Sequence, residues 1–133
     1  MIDRRALGEP GNVVVEDDRD LEALRAWATA GTACGAHLWM QLNHPGKQSP
    51  AFLSKETVAP SAVPFGPAFA AAFRTPRALT EAEIQDLITR FGATAAIAKQ
   101  AGFTGVQIHG AHGYLVSQFL SPHHNRRDDR WGG

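Results

Sequence analysis

Residues 103–114 read Phe103-Thr104-Gly105-Val106-Gln107-Ile108-His109-Gly110-Ala111-His112-Gly113-Tyr114. Successive side chains of a strand point to opposite faces. Val106 and Ile108 therefore share one face, and Gly105, Gln107 and His109 share the other. Gly102, just before, is a natural stop for a preceding helix. The stretch is expected to be a strand that leaves a helix and runs into a glycine-rich turn carrying two imidazoles and a phenol.

The preceding helix has a clear start. Thr80 and Glu83 form a capping box, and Leu79 with Ile84 can make a hydrophobic staple. Ile84, Leu87, Ile88, Phe91, Ala95, Ala98 and Ala101 make its apolar stripe. Upstream, residues 43–78 hold six of the eight prolines and no sustained period. A loop this long inside a compact domain is usually functional. Before it, Ala36-His37-Leu38-Trp39-Met40-Gln41-Leu42 is short and bounded by Gly35 and the Asn43-His44-Pro45-Gly46 turn, so a strand is expected. Leu38, Met40 and Leu42 lie on one face; His37, Trp39 and Gln41 lie on the other. Residues 1–17 are loop-like, with Val13-Val14-Val15 a strand end or an extended loop. Asp17 and Asp18 suit a helix start. Leu21, Leu24, Trp27 and Ala28 follow at helical spacing, and Gly31 and Gly35 bracket the stop.

The order is helix, strand, long loop, helix, strand, which is a βαβ crossover of parallel strands. In a β/α barrel the aliphatic faces meet the helices and the other faces fill the barrel. Gln41 and His109 then point inward near the C-terminal ends of their strands, where barrel enzymes place their chemistry. A doubly wound sheet fits the same pattern.

The totals bound the function. The 133 residues suit one domain, and 44% hydrophobic with 20% charged residues is ordinary for a globular protein. Zero formal net charge gives no electrostatic pull towards nucleic acid or an anionic membrane. No run of about 18 apolar residues suggests a membrane helix. Met1-Ile2-Asp3-Arg4-Arg5 lacks a following apolar region, so no secretory signal is expected. Cys34 is the single cysteine, which leaves a cytoplasmic protein as the default expectation.

The chemistry concentrates at His109, His112 and Tyr114. Imidazole N–H groups can donate to a carbonyl or nitro oxygen. Donors aimed at an oxygen that gains negative charge stabilise a developing enolate. A nearby tyrosine can give a proton to carbon. The plainer reading has His109 capping a strand end and Tyr114 packing. Gln41 is either a cofactor contact or a structural hydrogen-bond partner. Asn125-Arg126-Arg127-Asp128-Asp129-Arg130 reads as a solvated loop with weak local salt bridges. His-x-x-His at a strand end, even with His123 and His124, lacks the helical zincin spacing and any paired cysteines, so no metal site is expected.

These residues resemble the old yellow enzyme family. The resemblance is carried by Ala101 to Leu115, then Gln118-Phe119-Leu120-Ser121-Pro122, then Asn125, Arg127, Asp129, Gly132 and Gly133. Gln41-Leu42-Asn43-His44-Pro45-Gly46-Lys47-Gln48 is similar to the family's third-strand motif, and Thr75-Pro76-Arg77-Ala78-Leu79-Thr80 to its lead-in to the next helix. The resemblance implies an FMN-bearing (β/α)₈ TIM barrel that reduces activated alkenes with NAD(P)H. It implies that His109 and His112 bind the electron-withdrawing group of an α,β-unsaturated small molecule. Gln41 would contact the flavin pyrimidine edge, and Tyr114 would supply the proton. Many members have Asn where this chain has His112, and Tyr where it has Trp131.

A barrel of this type needs about 250 residues or more. The expectation is therefore an incomplete barrel over residues 1–133, holding about strands three and four, with sequence needed on both sides and no activity alone. Such a fragment leaves room for a homo-oligomer. The alternatives are a non-catalytic remnant or interaction module, and a histidine metal-binding protein.

Overall fold

The computed structural model describes residues 1–133. Two parallel strands form its centre: β1 over Trp39–Leu42 and β4 over Gly105–Ile108. Their register sets Trp39 beside Gly105 and Gln41 beside Gln107. Two helices flank them, α1 over Leu21–Gly31 and α2 over Glu81–Ala101. Both strands are shorter than the sequence suggests, because residues 36–38 and His109 lie outside the regular pairing.

The alternation expected for β1 is realised: Met40 and Leu42 are buried, while Trp39 and Gln41 are exposed. The buried face joins Leu24 and Ala28 of α1 and Leu87, Ala98 and Ala101 of α2 in one core. The opposite face carries Trp39, Gln41 and Gln107. There the Trp39 indole lies across Gly105, and a Cβ on that glycine would come within 2.8 Å of the indole ring. A side chain at 105 would push the exposed Trp39 indole off this face.

Helix α2 has the start and stop expected for it. The Thr80 hydroxyl accepts from the Glu83 backbone N–H at 3.3 Å, and the Thr80 N–H donates to the Glu83 carboxylate at 2.8 Å. Leu79 and Ile84 are both buried beside this cap. Gly102 ends the helix in the left-handed region at φ 100°, where a side chain would be strained. The buried stripe also contains Thr94 and Ile97, because α2 packs against the N-terminal segment as well as the sheet. The Thr94 hydroxyl donates to the Val15 carbonyl at 2.6 Å, and Val15 is extended loop, not strand. Helix α1 begins at Leu21, after the expected Asp17 and Asp18; the Asp17 carboxylate instead accepts from the Arg19 guanidinium.

The proline-rich segment is ordered by a second small sheet that the sequence did not suggest. β2 (Val58–Ala59) pairs in parallel with β3 (Arg77–Ala78). A short helix α3, Leu115–Phe119, follows the turn after β4. The parallel strands and flanking helices agree with the expected α/β class; the sheet is two-stranded and open, with no closed barrel. Between α2 and α3 an apolar groove of about 880 Å³ stays open, lined by residues such as Phe91, Val106, Ile108, Phe119 and Leu120.

Candidate active site

The register of β1 and β4 brings the two carboxamides together. Gln41 Nε2 donates to Gln107 Oε1 at 2.8 Å on the exposed face. This bond orients both amides and leaves the Gln41 oxygen and the Gln107 amino group free to meet a ligand. Gln107 escaped the sequence reading as a functional candidate, although its parity with Gln41 and His109 was visible.

His109 follows directly. Its backbone N–H donates to the Leu42 carbonyl at 2.9 Å, extending the β1–β4 pairing by one bond. The chain then turns sharply. Ala111 N–H donates to His109 Nδ1 at 3.2 Å, and His109 Nε2 lies 3.2 Å from His112 Nδ1. The Tyr114 ring packs edge-on against His109, with centroids 4.8 Å apart. The structure thus gathers His109, His112 and Tyr114 in one cluster, beyond the end of the strand that carries Gln107. His109 is buried, and its pKa is lowered, first by that burial and then by the neighbouring His112. A lowered pKa keeps the ring neutral, so it keeps both an N–H donor and a lone pair.

The turn itself is held by groups from the other strand's loop. His112 adopts φ 58° and Gly113 φ 70°. Gln48 Nε2 donates to the His112 carbonyl at 2.7 Å. Gln118, fully buried on α3, donates to the carbonyls of Gly113 at 2.7 Å and Pro45 at 3.1 Å. Leu115 N–H donates to the His44 carbonyl at 3.0 Å. Gln48 and Gln118 could not have been singled out from sequence, since an exposed polar glutamine and a buried satisfied one look alike there.

Lys47 shows a related arrangement. Its residue is buried, and its ammonium donates to the Val63 carbonyl at 2.9 Å and lies 4.3 Å from the centre of the Phe65 ring. Desolvation lowers its pKa. It fastens the proline-rich loop over the loop that follows β1. Arg127, expected in a solvated loop, is largely buried and donates to the Pro60 and Leu79 carbonyls at 2.9 and 2.7 Å. No three His, Cys, Asp or Glu side chains gather as metal ligands.

A sequence model of the NADH:flavin oxidoreductase / NADH oxidase family matches residues 1–133. An NADPH dehydrogenase of Geobacillus sp. (strain WCH70) is 38% identical over 147 residues, covering 97% of this chain and 42% of that protein. A probable NADH-dependent flavin oxidoreductase, YqiG, of Bacillus subtilis (strain 168) is 41% identical, covering 93% of this chain and 32% of that protein. An NADH oxidase of Thermoanaerobacter brockii is 40% identical over 90% of this chain and 18% of that protein. The chain spans less than half the length of these relatives.

Proposed function

The chain belongs to the NADH:flavin oxidoreductase / NADH oxidase family, and from that premise we propose that it is the site-bearing segment of an FMN-dependent oxidoreductase reducing activated alkenes with NAD(P)H. The observation that carries this reading is the cluster of His109, His112 and Tyr114 beyond the paired carboxamides of Gln41 and Gln107.

The donor set suits a flavin. The pyrimidine edge of the isoalloxazine alternates carbonyl, N–H and carbonyl. Locked amides at 41 and 107 offer one free oxygen and free N–H groups, which complement such an edge. Gln41 would hold it. A bound FMN would supply the hydride chemistry, passing reducing equivalents from NAD(P)H to the alkene carbon remote from the activating group.

The protein's own groups do the rest. His109 and His112 receive the oxygen of an enone or nitroalkene. As negative charge develops on that oxygen, their N–H groups stabilise it. The Tyr114 hydroxyl gives its proton to the carbon next to the activating group, and solvent returns it. The partner is a small α,β-unsaturated molecule. No helix is long and apolar enough to cross a membrane.

Transplantation tests this. Residues 1–133 replace the matching segment of the Geobacillus NADPH dehydrogenase, and yellow, folded chimera is assayed with 2-cyclohexenone. The expected result is enone-dependent NADPH oxidation. Tyr114→Phe should slow reoxidation of the reduced chimera by enone at least tenfold, in line with about 10²–10⁴-fold for general acid catalysis, and leave flavin reduction by NADPH intact. A yellow chimera that NADPH reduces and enone never reoxidises overturns the alkene reading. Equal slowing of both half-reactions removes Tyr114 as the donor.

A further inference from the structure

We propose that Gln48 is a positioning residue that holds His112 in its left-handed conformation, and so keeps the two imidazoles facing one another. The inference rests on the reading of His109 and His112 as the pair that receives the substrate oxygen. Its evidence is separate from that reading.

His112 is one of two non-glycine residues in the chain with positive φ, at 58°. Any side chain is uncommon there, histidine less so than most, and the conformation persists where surrounding contacts hold it. Its side chain makes one polar contact, with His109 at 3.2 Å, and this does not fix the backbone. The turn is closed locally by the Tyr114 N–H, which donates to the Ala111 carbonyl at 3.2 Å, and its central peptide is fastened from across the site. Gln48 belongs to the short 3₁₀ turn Gly46–Gln48 after β1, and its own N–H is tied to the Pro45 carbonyl at 3.1 Å. From this anchored base its carboxamide reaches the loop after β4 and donates to the His112 carbonyl at 2.7 Å.

Gly113 shows how close the approach is. A Cβ there would come within 2.8 Å of Gln48 Nε2. Glycine at 113, itself at φ 70°, is what lets the amide reach the carbonyl. Gln118 fastens the other end of the same turn by bonding the Gly113 and Pro45 carbonyls, and a Cβ on Gly46 would strike its carboxamide. Gln118 is fully buried, and its removal would disturb folding; Gln48 is only half-buried and reaches the turn from its edge. Without the Gln48 bond no group holds the His112 carbonyl, and only the 3.2 Å bond from Tyr114 N–H to the Ala111 carbonyl resists rotation of that peptide out of the left-handed region. That rotation carries its imidazole away from His109. The two loops, one from each strand, would then no longer share a fixed geometry.

The test uses the folded chimera that carries residues 1–133, with hydrogen–deuterium exchange read by mass spectrometry and the chimera without further substitution as the unaltered chain. Gln48→Glu keeps shape and removes the donor; Gln48→Lys keeps a donor. In Gln48→Glu, amides of residues 109–118 should exchange at least tenfold faster, while those of residues 81–101 stay as in the unaltered chain. Gln48→Lys should restore slow exchange over residues 109–118. Unchanged exchange of that segment in Gln48→Glu overturns the proposal. Acceleration across residues 81–101 as well also overturns it, since Gln48 would then support the whole fold and not the turn. Neither outcome depends on alkene reduction by the chimera, so the two readings can fail separately.

Discussion

The bond from Ala111 N–H to His109 Nδ1 decides how the histidine pair works. That lone pair is occupied, so the neutral ring carries its proton on Nε2. Nε2 faces His112 Nδ1, which must then accept, and the remaining N–H of the neutral pair is on His112 Nε2. Under the proposed function a substrate oxygen would meet His112 first and draw His109 Nε2–H from its neighbour. Replacing either histidine by Ala in the chimera should weaken binding of a phenol ligand by about 1.5–3 kcal/mol, the worth of a hydrogen bond to a charged group. Titration of the flavin absorbance with the ligand checks this, and unchanged affinity in both variants sinks the pairing. His44 gives a residue-level prediction of another kind. It is buried, and burial pushes its pKa from 6.5 down to about 4. The unfolded chain takes up that proton first, so stability is intact above pH 6.5 and is lost as pH falls towards about 4. The full loss is about 3 kcal/mol. Urea midpoints of the chain should fall over that range. In His44→Asn, whose side-chain oxygen can still accept from Gly46 N–H as Nδ1 does at 3.0 Å, the fall should be much flatter.

Helix α2 is where local sequence rules and structure agree best. Its cap at Thr80 is reinforced by Arg77, which bridges Glu83 at 2.8 Å and Glu56 at 2.9 Å. These exposed pairs contribute little; the cap contributes more. Thr80→Ala should destabilise the chain by about 1 kcal/mol. Gly102→Ala, forced to φ 100°, should cost about 1–2 kcal/mol. Denaturant midpoints read both, and a neutral Gly102→Ala would show that the helix end relaxes without cost. The two central strands and α2 were legible because periodicity and caps are local signals. The parity that paired Gln41 with the His109 face was legible for the same reason. Other features were not. β2 and β3 are two residues each, too short for any period, and their pairing joins positions about twenty residues apart. Helix α3 is a single turn. The clasp from Gln48 and Gln118 depends on contacts between residues 64 and 73 positions apart, which no local pattern encodes. Asp17 was misread as a helix start because an acidic residue there serves an arginine equally well.

At the scale of the whole molecule, the surface is too large. A compact 14.3 kDa monomer should expose about 6,800 Å², and this chain exposes 7653 Å². The excess has an address. Ile108 is 57% and Leu120 77% exposed along the groove beside α2, and Trp39 is 62% exposed on the opposite sheet face. β1 and β4 each present an outer edge with unpaired backbone groups, which invite association. Under the proposed function Gln41 and Gln107 would offer only neutral hydrogen bonds, worth about 0.5–1.5 kcal/mol each, to a flavin edge. Two strands alone could not enclose a flavin ring. Residues 1–133 alone should therefore bind no stoichiometric FMN, show no sustained enone-dependent NADPH oxidation, and sediment as associated species whose size grows with concentration. Raising salt should not dissolve them, because the buried contact is apolar and the net charge is zero. Analytical ultracentrifugation with added FMN, read at flavin and protein wavelengths together, checks all of this in one run. A monodisperse yellow species with turnover would mean that copies of this chain complete one another's sheet around the cofactor. The groove and the open strand edges would then be a working interface.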